Sequence, residues 1–255
     1  MAAEPRPATL VTGASAGLGA LFARECASRG DAVILVARRR ERLEALAGEL
    51  GGGARVVEAV LAEPGATAAL LREIVSRGLF VETLINNAGF GLAGRFDALP
   101  ADRQLEMIDL NVRALTELCR LTLPPMLERR RGFILNVAST AAFQAGPNMA
   151  VYYATKAFVL SLTEALHQEA KGSGVHVTAL CPGPTATEFF DVAGAGSGRL
   201  AKIAVEPLGV VRAGLAGLAR NRAIVVPGAA NKIGAQASRF LPRAAMRRII
   251  ARIKA

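Results

Sequence analysis

The 255-residue chain has no tryptophan, two tyrosines, two histidines and three cysteines. Cys26, Cys119 and Cys181 are odd in number, far apart and free of CxxC spacing. That argues against a disulfide framework or a zinc site and for a reducing compartment. His167 and His176 neighbour no carboxylate pattern, so no metal is expected. No apolar stretch reaches the roughly 18 to 20 residues that cross a bilayer. The opening MAAEPRPATLVTG lacks a basic segment followed by a long apolar run, so no signal peptide is expected either. A soluble, cytoplasmic protein is the expectation.

Acidic residues are absent from one region. Residues 1–206 hold 21 Lys+Arg and 21 Asp+Glu, which cancel, whereas 207–255 hold 10 Lys+Arg and no acid, so the net charge of +10 resides in the C-terminal fifth. A neutral body and a basic end without interleaved aromatics give no reason to expect a nucleic-acid partner. From Pro242 the chain reads PRAAMRRIIARIKA, with Met246, Ile249, Ile250 and Ile253 on one helical stripe and the basic residues largely off it. Such a helix can pack its stripe on the body or on a partner subunit. Residues 242–255 can also make a weak, peripheral, salt-sensitive contact with an anionic membrane.

What is present is apolar mass: 52% hydrophobic residues and a mean hydropathy of +0.33, mostly Ala, Leu and Val. Short apolar runs read as strands at 8–13, 32–37, 55–61, 82–89, 132–139, 175–183 and 223–228. Helical patterns lie between them at 17–29, 66–77, 102–128, 151–170 and 207–220. Alternating strands and helices imply βαβ units and an α/β, doubly wound parallel sheet flanked by helices. No repeat or linker divides the chain. One domain, 1–255, is expected, with a core of about 8–228 and a basic amphipathic extension at 229–255.

At the first strand-to-helix turn, TLVTGASAGLGALFAREC carries Gly13, Gly17 and Gly19 in a Thr-Gly-x-x-x-Gly-x-Gly pattern. A pyrophosphate approaches a helix N-terminus only where the backbone bears no bulky side chain, and the free N–H groups then hold it. Gly13, Ser15, Ala16, Gly17, Leu18 and Gly19 are therefore the candidate cradle. The second strand ends at Ala37 and is followed by Arg38, Arg39, Arg40 and Arg42. An acid at this point suits a ribose 2′-hydroxyl and an arginine suits a 2′-phosphate. Arg38, directly after the strand, is the candidate, while Arg40 and Arg42 also read as the solvated start of the next helix. NADP(H) is expected in preference to NAD(H).

Both tyrosines fall in YYATKAF, 152–158. In a helix Tyr152 and Lys156 share a face at i, i+4, whereas Tyr153 is rotated by about 100° away. An ammonium beside a phenol is expected to lower its pKa from about 10 and make it a general acid near neutral pH. Tyr153 is expected to pack. Downstream, Phe189, Phe190 and the glycines Gly194, Gly196 and Gly198 read as a mobile lid or as an ordinary surface loop. With Phe143 and Met149 they suggest an apolar carbonyl or alcohol substrate.

Taken together, TGASAGLG, NNAG at 86–89, Ser139, Tyr152-x-x-x-Lys156 and PGPTAT at 182–187 resemble the short-chain dehydrogenase/reductase family over about residues 8–228. VILVARRRERLEAL and CPGPTATEF resemble its NADP(H)-preferring branch of ketone and acyl-chain reductases. The resemblance implies a seven-stranded Rossmann sheet, hydride transfer at a nicotinamide, and homodimers or homotetramers built on the helices at 102–128 and 151–170. It assigns catalysis to Asn111, Ser139, Tyr152 and Lys156, with Asn111 anchoring a water relay and Lys156 also on the nicotinamide ribose. Ser139 ends the fifth strand and would hold the substrate oxygen beside Tyr152. Asn87, Ala88, Gly89, Pro182, Gly183, Thr185 and Thr187 are implied in cofactor contact, although loop capping alone also suits the two threonines. Two departures stand out: Val60 where the family commonly has an adenine-contacting Asp, and Ala16 where many NADP(H) members carry a basic residue. A nucleotide-sensing regulator that has lost catalysis is the alternative, and the four intact catalytic positions argue against it.

Overall fold

The first strand, β1 (Arg6–Thr12), alternates its side chains between two apolar layers. Ala8 and Leu10 enter one core and Val11 the other. Its neighbour β2 (Val33–Ala37) does the same, with Ile34 and Val36 on one face and Val33 and Leu35 on the opposite face. Strands buried on both faces explain the unbroken apolar runs TLVT and VILV. The computed structural model describes residues 4–189, 193–194 and 205–254.

The seven strands are parallel in the order β3-β2-β1-β4-β5-β6-β7. The remaining strands are β3 (Arg55–Glu58), β4 (Leu79–Asn86), β5 (Gly132–Val137), β6 (Val175–Leu180) and β7 (Ile224–Val225). Helices α1 (Gly17–Ala27), α2 (Arg40–Leu50) and α7 (Pro207–Ala219) cover one face through Phe22, Leu43 and Val211. Helices α3 (Ala66–Ser76), α5 (Leu115–Glu128) and α6 (Ala150–Glu169) cover the other through Leu70, Leu118 and Val159. Helix α4 (Ala101–Ile108) leads into α5. Each buried Leu or Ile contributes about 1.5–3 kcal/mol. The winding reverses between β1 and β4, and a crevice at such a switch point is where open α/β sheets bind ligands.

Several boundaries differ from the sequence reading. Strand β4 starts and ends three residues early because Leu79–Val81 pair with Arg6–Ala8, while the N–H groups of Asn87 and Ala88 leave the sheet for Thr12 Oγ1 at 3.0 Å each. The helix expected over 102–128 is interrupted by a π-helical turn at Asp109–Ala114. The 229–255 extension divides into α8 (Ala229–Phe240) and α9 (Arg243–Lys254). Leu241 is extended there (φ −90°, ψ 140°), as suits a residue before proline.

Candidate functional site

The glycine turn sits at the carboxyl edge of β1, at the switch point. Thr12 Oγ1 donates to Ile85 O at 3.3 Å, and Asn87 Nδ2 donates to Thr12 O at 3.0 Å, so the β1 and β4 turns are tied together. Gly13 has φ +67°, and a Cβ there would lie 2.9 Å from Ala88 Cα. A Cβ on Gly19 would lie 2.1 Å from Gly13 O, a separation no side chain tolerates. Gly17 has φ +54° and faces Thr187, whose Cβ would lie 3.3 Å from a Cβ on the glycine. Ala16 precedes α1 in extended conformation (φ −166°) and offers no side-chain cap. The first-turn N–H groups of α1, which have no acceptor within the helix, are therefore not capped by Ala16. A helix N-terminus with no side-chain cap among the described residues, behind a bend that excludes side chains, fits the pyrophosphate of a dinucleotide.

Asn111 lies in the π-helical turn and is buried. Its Oδ1 accepts from Phe90 N at 3.1 Å, and its Nδ2 donates to Phe90 O at 3.0 Å and to Thr155 Oγ1 at 3.1 Å. A Cβ on Gly89 would lie 2.9 Å from Asn111 Oδ1 and 3.5 Å from Lys156 Nζ, so NNAG, Asn111 and Lys156 meet at one place. Lys156 Nζ donates to Val137 O at 2.8 Å and stands 5.9 Å from the Tyr152 ring centroid. Ser139 lies two residues beyond β5 and caps a 3₁₀ turn at Thr140–Phe143, its Oγ accepting from Ala141 N at 3.0 Å. Asn111, Ser139, Tyr152 and Lys156 thus converge from β5, the π-helical turn and α6.

Burial overturns the expected direction of the phenol's shift. The Tyr152 hydroxyl is pushed up to about 12 by burial, only partly offset by a hydrogen bond with Ser139. The same burial brings the Lys156 ammonium down to about 8. Desolvation is the largest cause of both shifts, and helical spacing alone cannot reveal it. At neutral pH the pair is a protonated phenol beside an ammonium, the state a proton donor requires. Tyr153 is buried too, and a Cβ on Gly146 would lie 2.4 Å from its ring, so that glycine makes room for it.

At the far end of the turn the arginines separate. Arg38 turns to Glu106, with Nη1 3.3 Å from Oε1. Arg39 donates from Nε and Nη2 to Ser15 Oγ at 3.2 and 3.1 Å. Arg39 and Arg42 both reach Glu188, at 3.2 and 2.7 Å. Arg40 pairs with Glu44 and is directed away. The arginine that adjoins the glycine turn is Arg39, which the sequence did not single out. Its signal was available: Arg39 immediately precedes α2, whereas its neighbour Arg38 directly follows β2.

On the opposite side an apolar cluster contains Phe90, Met107, Met149, Tyr152 and Tyr153, with Phe189 and Ile250 packed against it. The Phe189 and Tyr152 ring centroids are 5.2 Å apart. Phe143 does not join them and packs on the main core instead. Phe190, Gly196 and Gly198 lie outside the described residues. Thr185 Oγ1 donates to Gly183 O at 2.9 Å, and a Cβ on Gly183 would strike Asn231 of α8. Pro182 O accepts from Thr140 N at 2.8 Å, which pins this loop to the Ser139 turn. His167 and His176 place Nδ1 within 2.8 and 2.9 Å of the Val177 and Leu218 carbonyls. Among the described residues no helix is long and apolar enough to cross a membrane.

The short chain dehydrogenase family model matches residues 7–196. Sulfoacetaldehyde reductase 2 of Chromohalobacter salexigens is 40% identical over 185 residues, 71% of this chain and 73% of that protein. The NADP-dependent 3-hydroxy acid dehydrogenase YdfG of Escherichia coli is 37% identical over 188 residues, 72% of this chain and 75% of that protein. A short-chain dehydrogenase from Sphingobium yanoikuyae, solved in complex with NADPH, superposes with a TM-score of 0.81 at 34% identity, covering 92% of this chain and 94% of that one. The chain belongs to the short-chain dehydrogenase/reductase family. It is an oxidoreductase that uses a nicotinamide cofactor and acts on CH–OH or carbonyl groups.

Proposed function

We propose that this enzyme transfers hydride between NADP(H) and an apolar ketone or secondary alcohol, with Asn111, Ser139, Tyr152 and Lys156 as its catalytic group. The observation that carries the reading is the Tyr152 phenol, buried beside Ser139 and Lys156 at the edge of the apolar cluster. The bound nicotinamide supplies the hydride, or accepts it in the reverse direction. Tyr152 hands its proton to the substrate oxygen, and Ser139 holds that oxygen beside the phenol. Lys156, charged at neutral pH, keeps the phenol oriented and reaches toward the cofactor ribose. Asn111 positions the strand-edge residues around Gly89 and Phe90.

The chain's own residues fit the cofactor. Gly13, Ser15, Ala16, Gly17, Leu18 and Gly19 would hold the pyrophosphate, and Asn87, Ala88 and Gly89 would flank the adenosine side. Pro182, Gly183, Thr185 and Thr187 would close over the nicotinamide side. Arg39 with Ser15, more than Arg38, would take the 2′-phosphate. Support for NADP(H) comes from the arginines after β2, from the NADP-dependent Escherichia coli relative and from the NADPH complex of the Sphingobium protein.

Support for an apolar substrate comes from Phe90, Met107, Met149, Phe189 and Ile250 around the phenol. A panel of carbonyl compounds read by NADPH oxidation tests it: turnover of hydrophobic ketones is expected, and turnover confined to small charged aldehydes would overturn the substrate class. The exposed Leu105, Ile108, Leu121 and Phe158 of α4–α6 support association of two or more copies, which light scattering would measure. Met246 is buried and Ile250 packs on the site cluster, while Ile249 is exposed, so part of the α9 stripe packs on the body and the rest leaves room for a peripheral membrane contact.

A further inference from the structure

The arginines beside the glycine turn already hold an anion. Glu188 places Oε2 3.2 Å from Arg39 Nη1 and Oε1 2.7 Å from Arg42 Nη1, while Arg39 keeps Ser15 Oγ with its other two nitrogens. Both arginines hold the carboxyl below its usual range, Arg42 contributing most. Glu188 follows Thr187, which covers Gly17, and precedes Phe189, which lies on the Tyr152 ring. A carboxylate and a phosphate monoester use the same guanidinium donors, and the phosphate carries close to two charges at neutral pH.

We propose that Glu188 is a built-in competitor for the 2′-phosphate of NADP(H), one that dilutes the enzyme's preference for NADP(H) over NAD(H). The inference rests on the reading that Arg39 serves the 2′-phosphate, and adds Arg42, which shares Glu188 with it. In the free protein the carboxylate occupies their donors, and NADP(H) binds after displacing it. NAD(H) lacks the phosphate and leaves the Glu188 pairs in place. The apparent affinity for NADP(H) scales with the fraction of molecules in which the carboxylate is undocked. Two exposed ion pairs are each worth little, so the reduction is about three- to tenfold.

The experiment is titration of the full chain with NADPH and with NADH, read by nicotinamide fluorescence, for wild type, Glu188→Gln, Glu106→Gln and Arg39→Ala. Glu188→Gln is expected to tighten NADPH about three- to tenfold and to leave NADH within about twofold. Glu106→Gln removes an equal charge from Arg38 and is expected to leave both cofactors within about twofold. If Arg39→Ala weakens NADPH while Glu188→Gln fails to tighten it, the competitor is overturned and the phosphate reading stands. Equal tightening by Glu188→Gln and Glu106→Gln would also overturn it, since the effect would be general charge. If Arg39→Ala leaves NADPH unchanged, both readings fall. Glu188 is a half-exposed surface side chain, so its amide variant leaves the core intact.

Discussion

The two ends of the cofactor groove are built on opposite principles. At the chemical end Tyr152, Lys156 and Asn111 are 8%, 6% and 1% exposed, and their polar atoms are fixed by Val137 O, Phe90, Thr155 and Ser139. At the arginine end the side chains of Arg38, Arg39 and Arg42 are about half exposed and pair with Glu106 and Glu188. Burial makes the first end a single geometry with strongly shifted protonation. Exposure leaves each contact at the second end worth little on its own.

Substitutions should expose that contrast most at the buried end. Tyr152→Phe keeps the ring and removes the proton, and turnover is expected to fall by about 10² to 10⁴ with cofactor binding retained. Steady-state kinetics with NADPH titration measures both; turnover within tenfold of wild type would remove Tyr152 from the role.

Lys156 yields a prediction with a definite sign. Its ammonium falls from 10.5 to about 8 on folding, so the buried charge costs stability at every pH below about 8. That cost is relieved as pH rises from 8 to 10.5, because the unfolded chain then binds more protons than the folded one. The stability of Lys156→Met relative to wild type should therefore decline by about 3 kcal/mol between pH 7.5 and 10.5. Denaturant unfolding at the two pH values checks it; a constant difference would mean the lysine is solvated.

At the exposed end the effects shrink. Arg39→Ala is expected to raise the KM for NADPH about tenfold and that for NADH less than twofold. Arg38→Ala, which loses only the Glu106 pair, should raise neither by more than about threefold. A larger effect from Arg38 than from Arg39 would restore the arginine nearest the strand to the phosphate role. Tyr153→Phe should be the mildest change, retaining most activity, since its ring packs over Gly146 while the phenol beside Ser139 belongs to Tyr152. Equal losses from Tyr152→Phe and Tyr153→Phe would collapse the distinction between the two tyrosines.

Strand and helix periods alone determined the doubly wound sheet, because strands buried on both faces must read as continuous apolar runs and their crossovers as helices. The glycine turn was legible for the same reason: Gly13 and Gly19 meet backbone where any Cβ would collide. The i, i+4 spacing of Tyr152 and Lys156 likewise selected one tyrosine. Only the tertiary structure decided what depends on depth and on residues distant in sequence. Asn111 proved to lie in a π-helical turn facing Gly89, and the phenol shifted upward because burial outweighs its hydrogen bond with Ser139. The arginine beside Ser15 became Arg39 because α2 begins just after it, and its acidic partner came from 149 residues away. Local spacing encodes direction along a helix or strand; solvent exclusion and long-range charge exist only once the chain has closed on itself.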